Sequence, residues 1–423
     1  MDIHNRWKLY LLILNLTVLL YIIFVQLHMQ FYFRAIGPLW YPKPKTRDIE
    51  NQHRSLRNVS FSKKSKGEEN DTLNKTLLFV SPQHWFNDWI GNKWDTSHAF
   101  SNCPVSNCVL TKQRQYMDKA DAVLFRIRTD KGCLNGCLKK KKRGQVWIIF
   151  EHEPPTRFGR YRDLNKSCHR NLFNWTITYR RDSDFTFVHG RFSKVSSPYN
   201  ESAIDMILKA KTKTAVGFIS HCPIQSRRND YITKLRKYGI DVDIYGKCGT
   251  LRCDSGLNHE NKLKMAWNLT PVAGLKRDCF DILDSTYKFF LSFENSLCDD
   301  YVTEKSLHRV LRHNIVPIIR DASNRTLFSP PKSYLDTKDF HDVKSLATRI
   351  KSMSNNFDEY KKYFLWKKYF SPETTDGVLQ SILCNICKRL HNQHKYKRIY
   401  RNVVDFLFSR GKESPNCHEP DDF

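Results

Sequence analysis

Apolar residues are distributed unevenly along the chain, and the longest run comes first. A short polar start, MDIHNRWK, gives way to 25 residues, 9–33, that carry no acidic or basic side chain except His28. About 20 apolar residues suffice to cross a bilayer, whereas the apolar core of a cleavable signal is only ~7–15 long. No small-residue cleavage site follows, because the next residues are RAIGPLWYPKPK. The pattern predicts an uncleaved signal anchor over 9–33 after a short polar tail, residues 1–8, which is cytoplasmic if the chain has the type II orientation. Flanking charge leaves the orientation open: Arg6 and Lys8 lie on one side, Arg34, Lys43, Lys45 and Arg47 on the other, and long domains translocate largely regardless of such charges.

Residues 34–75 are rich in Lys, Asn, Ser and Asp, with Pro38, Pro42 and Pro44 near the start. Such a composition builds no core and predicts a stem. Strand-length apolar runs follow. TLLFV (76–80), DAVLFRI (121–127) and QVWIIF (145–150) predict buried strands of a first globular part, 76–210. From residue 211 the alternation is cleaner. TAVGFIS (214–220), VDIYG (242–246), KFFLSF (288–293) and IVPII (315–319) predict strands. SRRNDYITKLRKYG (226–239) has helical spacing closed by Gly239, and Thr303 is placed to cap a helix through EKSLHRVLRHN. Strands separated by helices predict α/β architecture with parallel, doubly wound sheets. Two Rossmann-like domains, 76–210 and 211–370, facing a cleft fit the length, followed by a basic helical segment, 371–423, that packs back over the body.

Charge narrows the partners. With 70 Lys+Arg against 43 Asp+Glu the formal charge is +27, which suits a phosphorylated small molecule, nucleic acid or an anionic surface. No nucleic-acid recognition motif is present, and an anchor places the domain in the wrong compartment, so nucleic acid is not expected as a partner. For the same reason LKKKKRGQ reads as a solvated loop rather than a nuclear signal. All 13 cysteines follow the anchor, several closely spaced: Cys103/Cys108, Cys133/Cys137, Cys248/Cys253 and Cys384/Cys387. So do eight Asn-x-Ser/Thr acceptors, Asn58, Asn70, Asn74, Asn165, Asn174, Asn200, Asn268 and Asn324. An oxidising lumen accounts for both features. CNIC (384–387) is a CxxC without a second CxxC or an H-x3–5-H partner, so disulfides are expected ahead of zinc. Their connectivity is open.

The candidate chemistry lies in FFLSFENSLCDDYVTEK (289–305). Open parallel sheets bind ligands beyond the carboxyl ends of their strands, and Phe293 marks such an end. Just after it come Glu294, Asn295, Tyr301, Glu304 and Lys305. Glu304 suits two vicinal ribose hydroxyls, Tyr301 stacks or bonds beside them, and Asn295 both donates and accepts. Lys305 and a helix N-terminus at Thr303 suit an anion. Together they have the makeup of a nucleotide diphosphate site without a glycine-rich loop.

FFLSFENSLCDDYVTEKSLHRVLRHNIVPII resembles the α1,3-fucosyltransferases. LFNWTITYRRDSDF (172–185), SRRNDY (226–231), DVDIYGKCG (241–249), PPKSYLDTKDF (330–340), YFLWKKYF (363–370) and CNIC are similar to that family in the same order. The resemblance implies a Golgi type II membrane enzyme with a luminal catalytic part and the GT-B architecture. It implies transfer of L-fucose from GDP-β-L-fucose to a GlcNAc or Glc hydroxyl of a glycan on a glycoprotein or glycolipid, with inversion and no metal or other cofactor required. The family's donor contacts map onto Asn295, Tyr301, Glu304 and Lys305, with Glu294 beside them. Its pyrophosphate arginine maps to Arg228, with Arg227 as neighbour and Arg180 and Arg181 on the opposite wall. The family's general base, in Glu-Ser-Pro, falls on IIFEHEPPTRF. Glu153 keeps the spacing to proline, Glu151 follows the phenylalanine, and Pro154 replaces the serine. Glu153 is preferred, Glu151 is the runner-up, and His152 reads as a solvated loop residue. Two alternatives stay open: a catalytically silent glycan-binding relative, and a GT-B transferase using another nucleotide sugar. The acceptor is equally open among Lewis-type, GalNAcβ1-4GlcNAc and N-glycan core structures.

Overall fold

The structure is a computed structural model that describes residues 74–80, 98–126, 141–157, 170–195, 199–252, 280–373, 375–408 and 417–423. The predicted tail and anchor, all of the stem but its last two residues, and Asn58, Asn70, Asn165 and Asn268 lie outside the described residues. Among those described, no helix is long and apolar enough to cross a membrane. Apart from the turn Arg325–Phe328, the described residues belong to one compact unit. That unit carries both large sheets.

Six strands build the first sheet: β1 (Lys75–Val80), β2 (Cys108–Thr111), β3 (Ala122–Arg126), β4 (Val146–Glu151), β5 (Trp175–Thr178) and β6 (Phe185–Thr186). Their order is β2-β1-β3-β4-β5-β6, with every pair parallel. β4 is buried at all its positions, as a strand covered on both faces must be. The three predicted strands of this half are β1, β3 and β4. The short β2, β5 and β6 carried no apolar run long enough to mark them.

After β7 (Arg191–Lys194) come α1 (Glu201–Lys209), β8 (Lys213–Phe218), α2 (Arg228–Lys237), β9 (Val242–Tyr245), α3 (Asp281–Ser285), β10 (Tyr287–Phe293), α4 (His308–Leu311), β11 (Val316–Arg320), β12 (Leu335–Asp336), α5 (Val343–Asn355) and α6 (Phe357–Lys361). β12-β11-β10-β8-β9 form a second, fully parallel sheet. α2 buries Tyr231, Ile232 and Leu235 against it. It stops at Gly239, whose φ of +76° no β-carbon favours. α5 opens with a capping box between Asp342 and Ser345, the local signal that starts a helix.

Three readings change. The boundary at 210 puts α1 in the first domain, but Leu208 packs into the core of the second sheet. The helix predicted from Thr303 is only the single turn α4. Lys142 and Arg143 of the lysine run are exposed as expected, but Lys141 is half-buried: it donates to Leu172 O and to Asn174 Oδ1 at 2.8 Å, and burial lowers its pKa to about 8.

The C-terminal segment covers the first sheet on both sides. It comprises β13 (Phe370–Glu373), antiparallel to β7, then α7 (Thr375–Leu390) and α8 (Val403–Phe408). Ile382, Leu383 and Ile386 of α7 pack on Leu77, Phe79, Ile148 and Phe150. Tyr400, Val403 and Leu407 pack on the alternate residues Leu78, Trp147 and Ile149. Disulfides Cys103–Cys384 and Cys108–Cys387 fasten α7 in place. Both CNIC sulfurs are thereby bonded, so although Cys387, Cys108 and His391 lie together, they present no thiolate to zinc. Cys222–Cys248 and Cys298–Cys417 complete the bridges among the described residues.

Candidate active site

At the carboxyl end of β10 the chain carries a carboxylate inward. The Glu294 side chain is 0% exposed, and a buried carboxylate needs donors around it. Thr303 supplies its N–H and its hydroxyl, each at 2.8 Å, and Lys305 Nζ lies at 3.3 Å. The loop 303–307 is wound about this group, which is why Thr303 does not cap a longer helix and no anion-binding helix end forms there. Burial raises the Glu294 pKa, with the Lys305 charge opposing it. Burial works against the Lys305 ammonium too, but Glu294 and Glu304 outweigh it and hold its pKa above the ordinary value.

The entry to α2 is stitched to the same turn. Ser226 Oγ donates to Glu294 O at 2.7 Å and Ser226 N to Asn295 O at 3.3 Å. Arg227, the residue before α2, has φ 46°, a left-handed conformation that costs a residue with a side chain roughly 1–2 kcal/mol. Arg228 then turns inward, 3% exposed. Its Nη1 donates to Phe293 O at 2.9 Å and its Nη2 to His221 O at 3.0 Å. Nε is buried and makes no hydrogen bond. Burial pulls this guanidinium down to about 10, so it is charged at neutral pH.

The facing wall comes from the first sheet. Glu151, the last residue of β4, is buried, and its Oε1 accepts from the N–H groups of His152 (3.1 Å) and Glu153 (3.0 Å). That carboxylate shapes the EHEPP turn. Glu153 is carried past it into the cleft, with Oε2 3.4 Å from Tyr301 Oη and 4.0 Å from Arg157 Nε. Thr156 and Ser296 hydroxyls meet at 2.6 Å, Arg181 N donates to Asp300 at 3.1 Å, and His189 Nδ1 lies 3.7 Å from Glu304. Loops from the two sheets thus converge on one place.

Not every predicted site residue reaches it. Glu153, Arg181, Arg228, Glu294, Asn295, Tyr301, Glu304 and Lys305 gather there. Arg180 instead pairs with Asp182 at 2.6 Å and bonds Phe406 O. Arg227 pairs with Asp230 at 2.8 Å and lies over the Phe423 ring. Tyr301 offers no stacking face, since it is 2% exposed and wedged edge-on to Tyr179. Burial, then Glu153, pushes its phenol well above the usual tyrosine pKa, so it stays a donor. His152 is buried rather than solvated, packed against Phe150 and Phe187.

What the arrangement lacks in partners is instructive. Nε of Arg157, Arg181 and Arg228 and Oδ1 of Asn295 are buried without a hydrogen bond. Unmade bonds on buried polar atoms are costly, and the Arg157 and Arg228 donors, near enough to feel each other's charge, suit an anion.

Two family profiles match consecutive parts of the chain: "Fucosyltransferase, N-terminal" over residues 74–190 and "Glycosyltransferase family 10 (fucosyltransferase) C-term" over residues 208–406. The chain belongs to glycosyltransferase family 10, the fucosyltransferases. It is 29% identical over 331 residues to alpha-(1,3)-fucosyltransferase C of Drosophila melanogaster, covering 73% of this chain and 71% of that one. It is 30% identical to the 3-galactosyl-N-acetylglucosaminide 4-alpha-L-fucosyltransferase of Bos taurus, covering 71% of this chain and 76% of that one. Of solved structures, an alpha1,3-fucosyltransferase superposes with a TM-score of 0.47 at 16% identity, covering 79% of this chain and 95% of that one. This fucosyltransferase is therefore an enzyme, a glycosyltransferase.

Several residues of the enzyme's cleft were not foreseen: Arg157, His221, Thr156 and His189. Burial, then the Arg157 charge, lowers the His221 pKa. Arg157 was within reach of sequence reasoning, because it follows Glu153 by four residues in EPPTR and so returns to the same side of the turn.

Proposed function

We propose that the enzyme transfers L-fucose from GDP-β-L-fucose to the 3-hydroxyl of a GlcNAc or Glc unit in a glycan, with inversion at the sugar carbon. The observation that carries this reading is the meeting of the Glu153 carboxylate, from the first sheet, with Tyr301 beside the buried Arg228 and the half-buried Lys305 of the second. Two parallel sheets with a site between their carboxyl ends support the GT-B description, and the relatives' names support the fucose donor.

In the proposed step the acceptor oxygen attacks the fucose anomeric carbon while its proton passes to Glu153. The bond from that carbon to the diphosphate oxygen breaks, and GDP departs with the electron pair. Arg228, aided by Arg157 and Lys305, offsets the charge gathering on the leaving group. Lys305 already has partners at Thr303 (2.8 Å), Glu294 (3.3 Å) and Glu304 (3.4 Å). The donor phosphate replaces the longest of these, which frees Glu304 for the ribose hydroxyls. Glu151 holds the turn and is not the base. Catalysis needs no metal in this scheme, and the luminal face of the Golgi membrane, behind the anchor of residues 9–33, is the proposed location.

Residues 61–423, given GDP-fucose and a glycan panel in EDTA, test the reading by mass spectrometry. A gain of one deoxyhexose on an acceptor supports it and names the acceptor class. Folded protein that binds GDP yet modifies nothing would count against it, and activity only when a divalent metal is restored would remove the metal-free step.

A further inference from the structure

Residues 417–423 lie beside the loop after β10 and the entry to α2, and both ends of that short segment are bonded there. Cys417 is disulfide-linked to Cys298 and bridges it antiparallel. His418 N donates to Leu297 O at 2.7 Å, and its Nε2 lies 2.8 Å from Asp299. Gln225, two residues before the Arg227 that enters α2, binds both sides of this seam. Its Oε1 accepts from Leu297 N at 3.0 Å and its Nε2 donates to His418 O at 2.5 Å.

The far end of the segment grips α2 itself. Arg320, at the carboxyl end of β11, is 1% exposed. Its Nε and Nη2 donate to the two oxygens of Asp422, each at 2.6 Å, and its Nη1 donates to Ser226 O at 2.6 Å. Ser226 is the residue whose hydroxyl and N–H hold Glu294 and Asn295. The Phe423 ring lies 4.9 Å from the Arg227 guanidinium, 5.3 Å from that of Arg320 and 5.5 Å from Lys234 Nζ, and edge-on to Tyr231. A buried arginine is tolerated only with its charge answered. Asp422 answers it, and the bidentate fork fixes the direction in which Nη1 meets Ser226. Phe423, together with Asp230, occupies Arg227 away from the cleft and so steadies the left-handed step that turns Arg228 inward.

We propose that residues 417–423 are a strap that positions the donor loops 224–228 and 294–303, with Asp422 acting through Arg320 as its positioning residue. Neither end of the strap touches the reacting atoms. Its effect is on donor affinity and not on the chemical step. The kinetic half of the claim rests on the donor reading above; the structural half does not.

The test compares Asp422→Asn with the exposed neighbour Asp421→Asn in the full chain, and reads two things. One is donor KM and kcat with GDP-fucose. The other is hydrogen exchange of the amides of residues 224–231 and 294–303 in ligand-free protein. The strap predicts that Asp422→Asn raises donor KM about tenfold while kcat and acceptor KM stay within about twofold. It also predicts faster exchange confined to those two stretches, and Asp421→Asn changes neither. Unchanged exchange in folded Asp422→Asn protein overturns the strap, and so does a parallel loss of kcat and acceptor KM. If wild-type protein does not use GDP-fucose, the exchange result still decides: faster exchange upholds the strap while the donor reading fails. Should Asp422→Asn not fold, Phe423→Leu replaces it with the same expected outcomes.

Discussion

The Tyr301 hydroxyl lies 3.4 Å from the Glu153 carboxylate, and it is the donor of the pair. One residue comes from the loop after β10, the other from the turn after β4, and the tyrosine is buried while the glutamate is only half so. The contact sets the glutamate's position from the opposite side of the cleft, and Glu151 sets it from below.

Two glutamates two residues apart are therefore expected to behave differently. Glu153→Gln loses about a hundredfold or more in kcat, with GDP affinity by calorimetry unchanged. Glu151→Gln retains an oxygen that accepts from the two N–H groups, and it keeps kcat within about tenfold of wild type. The opposite order in initial-rate measurements would transfer the base to Glu151.

Arg228→Lys keeps a charge but cannot hold two carbonyls and a phosphate in one plane. Donor KM rises about 10- to 100-fold, the cost of one or two charge-assisted hydrogen bonds. Arg180→Lys, whose partner is Asp182, leaves donor KM unchanged. Equal effects of the two substitutions would show that the inward turn of Arg228 is not what binds the donor.

The disulfides differ in the loops they close. Cys103–Cys384 spans 281 residues and Cys222–Cys248 spans 26. Cys108–Cys387 joins the same two segments, so the long loop opens only when both bridges are removed, and on chain entropy alone that costs about 2 kcal/mol more than removing Cys222–Cys248. Serine substitutions at all four cysteines of the α7 bridges, compared with the Cys222/Cys248 pair by denaturant midpoint, check this. A smaller loss at the α7 bridges would show that α7 is held by its apolar face without them.

Buried lysines give stability a pH slope of known sign. Burial lowers Lys211 to about 7 and Lys367 to about 8, from 10.5 in each case. Between those values and 10.5 the unfolded chain holds protons that the folded chain has released, so stability rises with pH across that window and the penalty is constant below it. The denaturant midpoint is higher at pH 9 than at pH 7, and Lys211→Met reduces the difference. A midpoint that falls from pH 7 to pH 9 would contradict this.

Among the glycosylation candidates in the described residues, Asn74, Asn200 and Asn324 are exposed. Asn174 is built into the fold instead. Its Oδ1 accepts from Trp147 N at 2.9 Å and Lys141 Nζ at 2.8 Å, and its Nδ2 donates to Arg398 O at 2.9 Å. Glycopeptide mass spectrometry of secreted protein should find glycan at one or more of the first three and none at Asn174.

Strands of continuous apolar residues were legible because a sheet covered on both faces leaves no position for polar side chains. That is how VWIIF and FFLSF declare themselves, while the four-residue CVLT and WTIT do not. The site was legible as a stretch, less so as roles. Nothing in the order of letters says that Arg228 faces in and Arg227 out; a left-handed step before α2 decides it. Likewise Glu294 and Thr303 satisfy each other only because Phe293 ends β10 deep in the fold, and Tyr301 is a wedge because Tyr179 lies under it. The grip of Asp422 on Arg320 joins positions 102 apart in sequence, beyond any local pattern.

The two covers of the first sheet, α7 and the residues around α8, have a consequence for how the chain is made. During synthesis at ~5–20 residues per second, Cys384 emerges roughly 15–60 s after Cys103, given the 281 residues between them. Until then β1, β3 and β4 expose apolar side chains on both faces to the surrounding solvent. The half of the molecule translated first is thus completed last, and a nascent chain halted before residue 375 holds a finished sheet of donor-side strands beside one that still needs a chaperone's shelter.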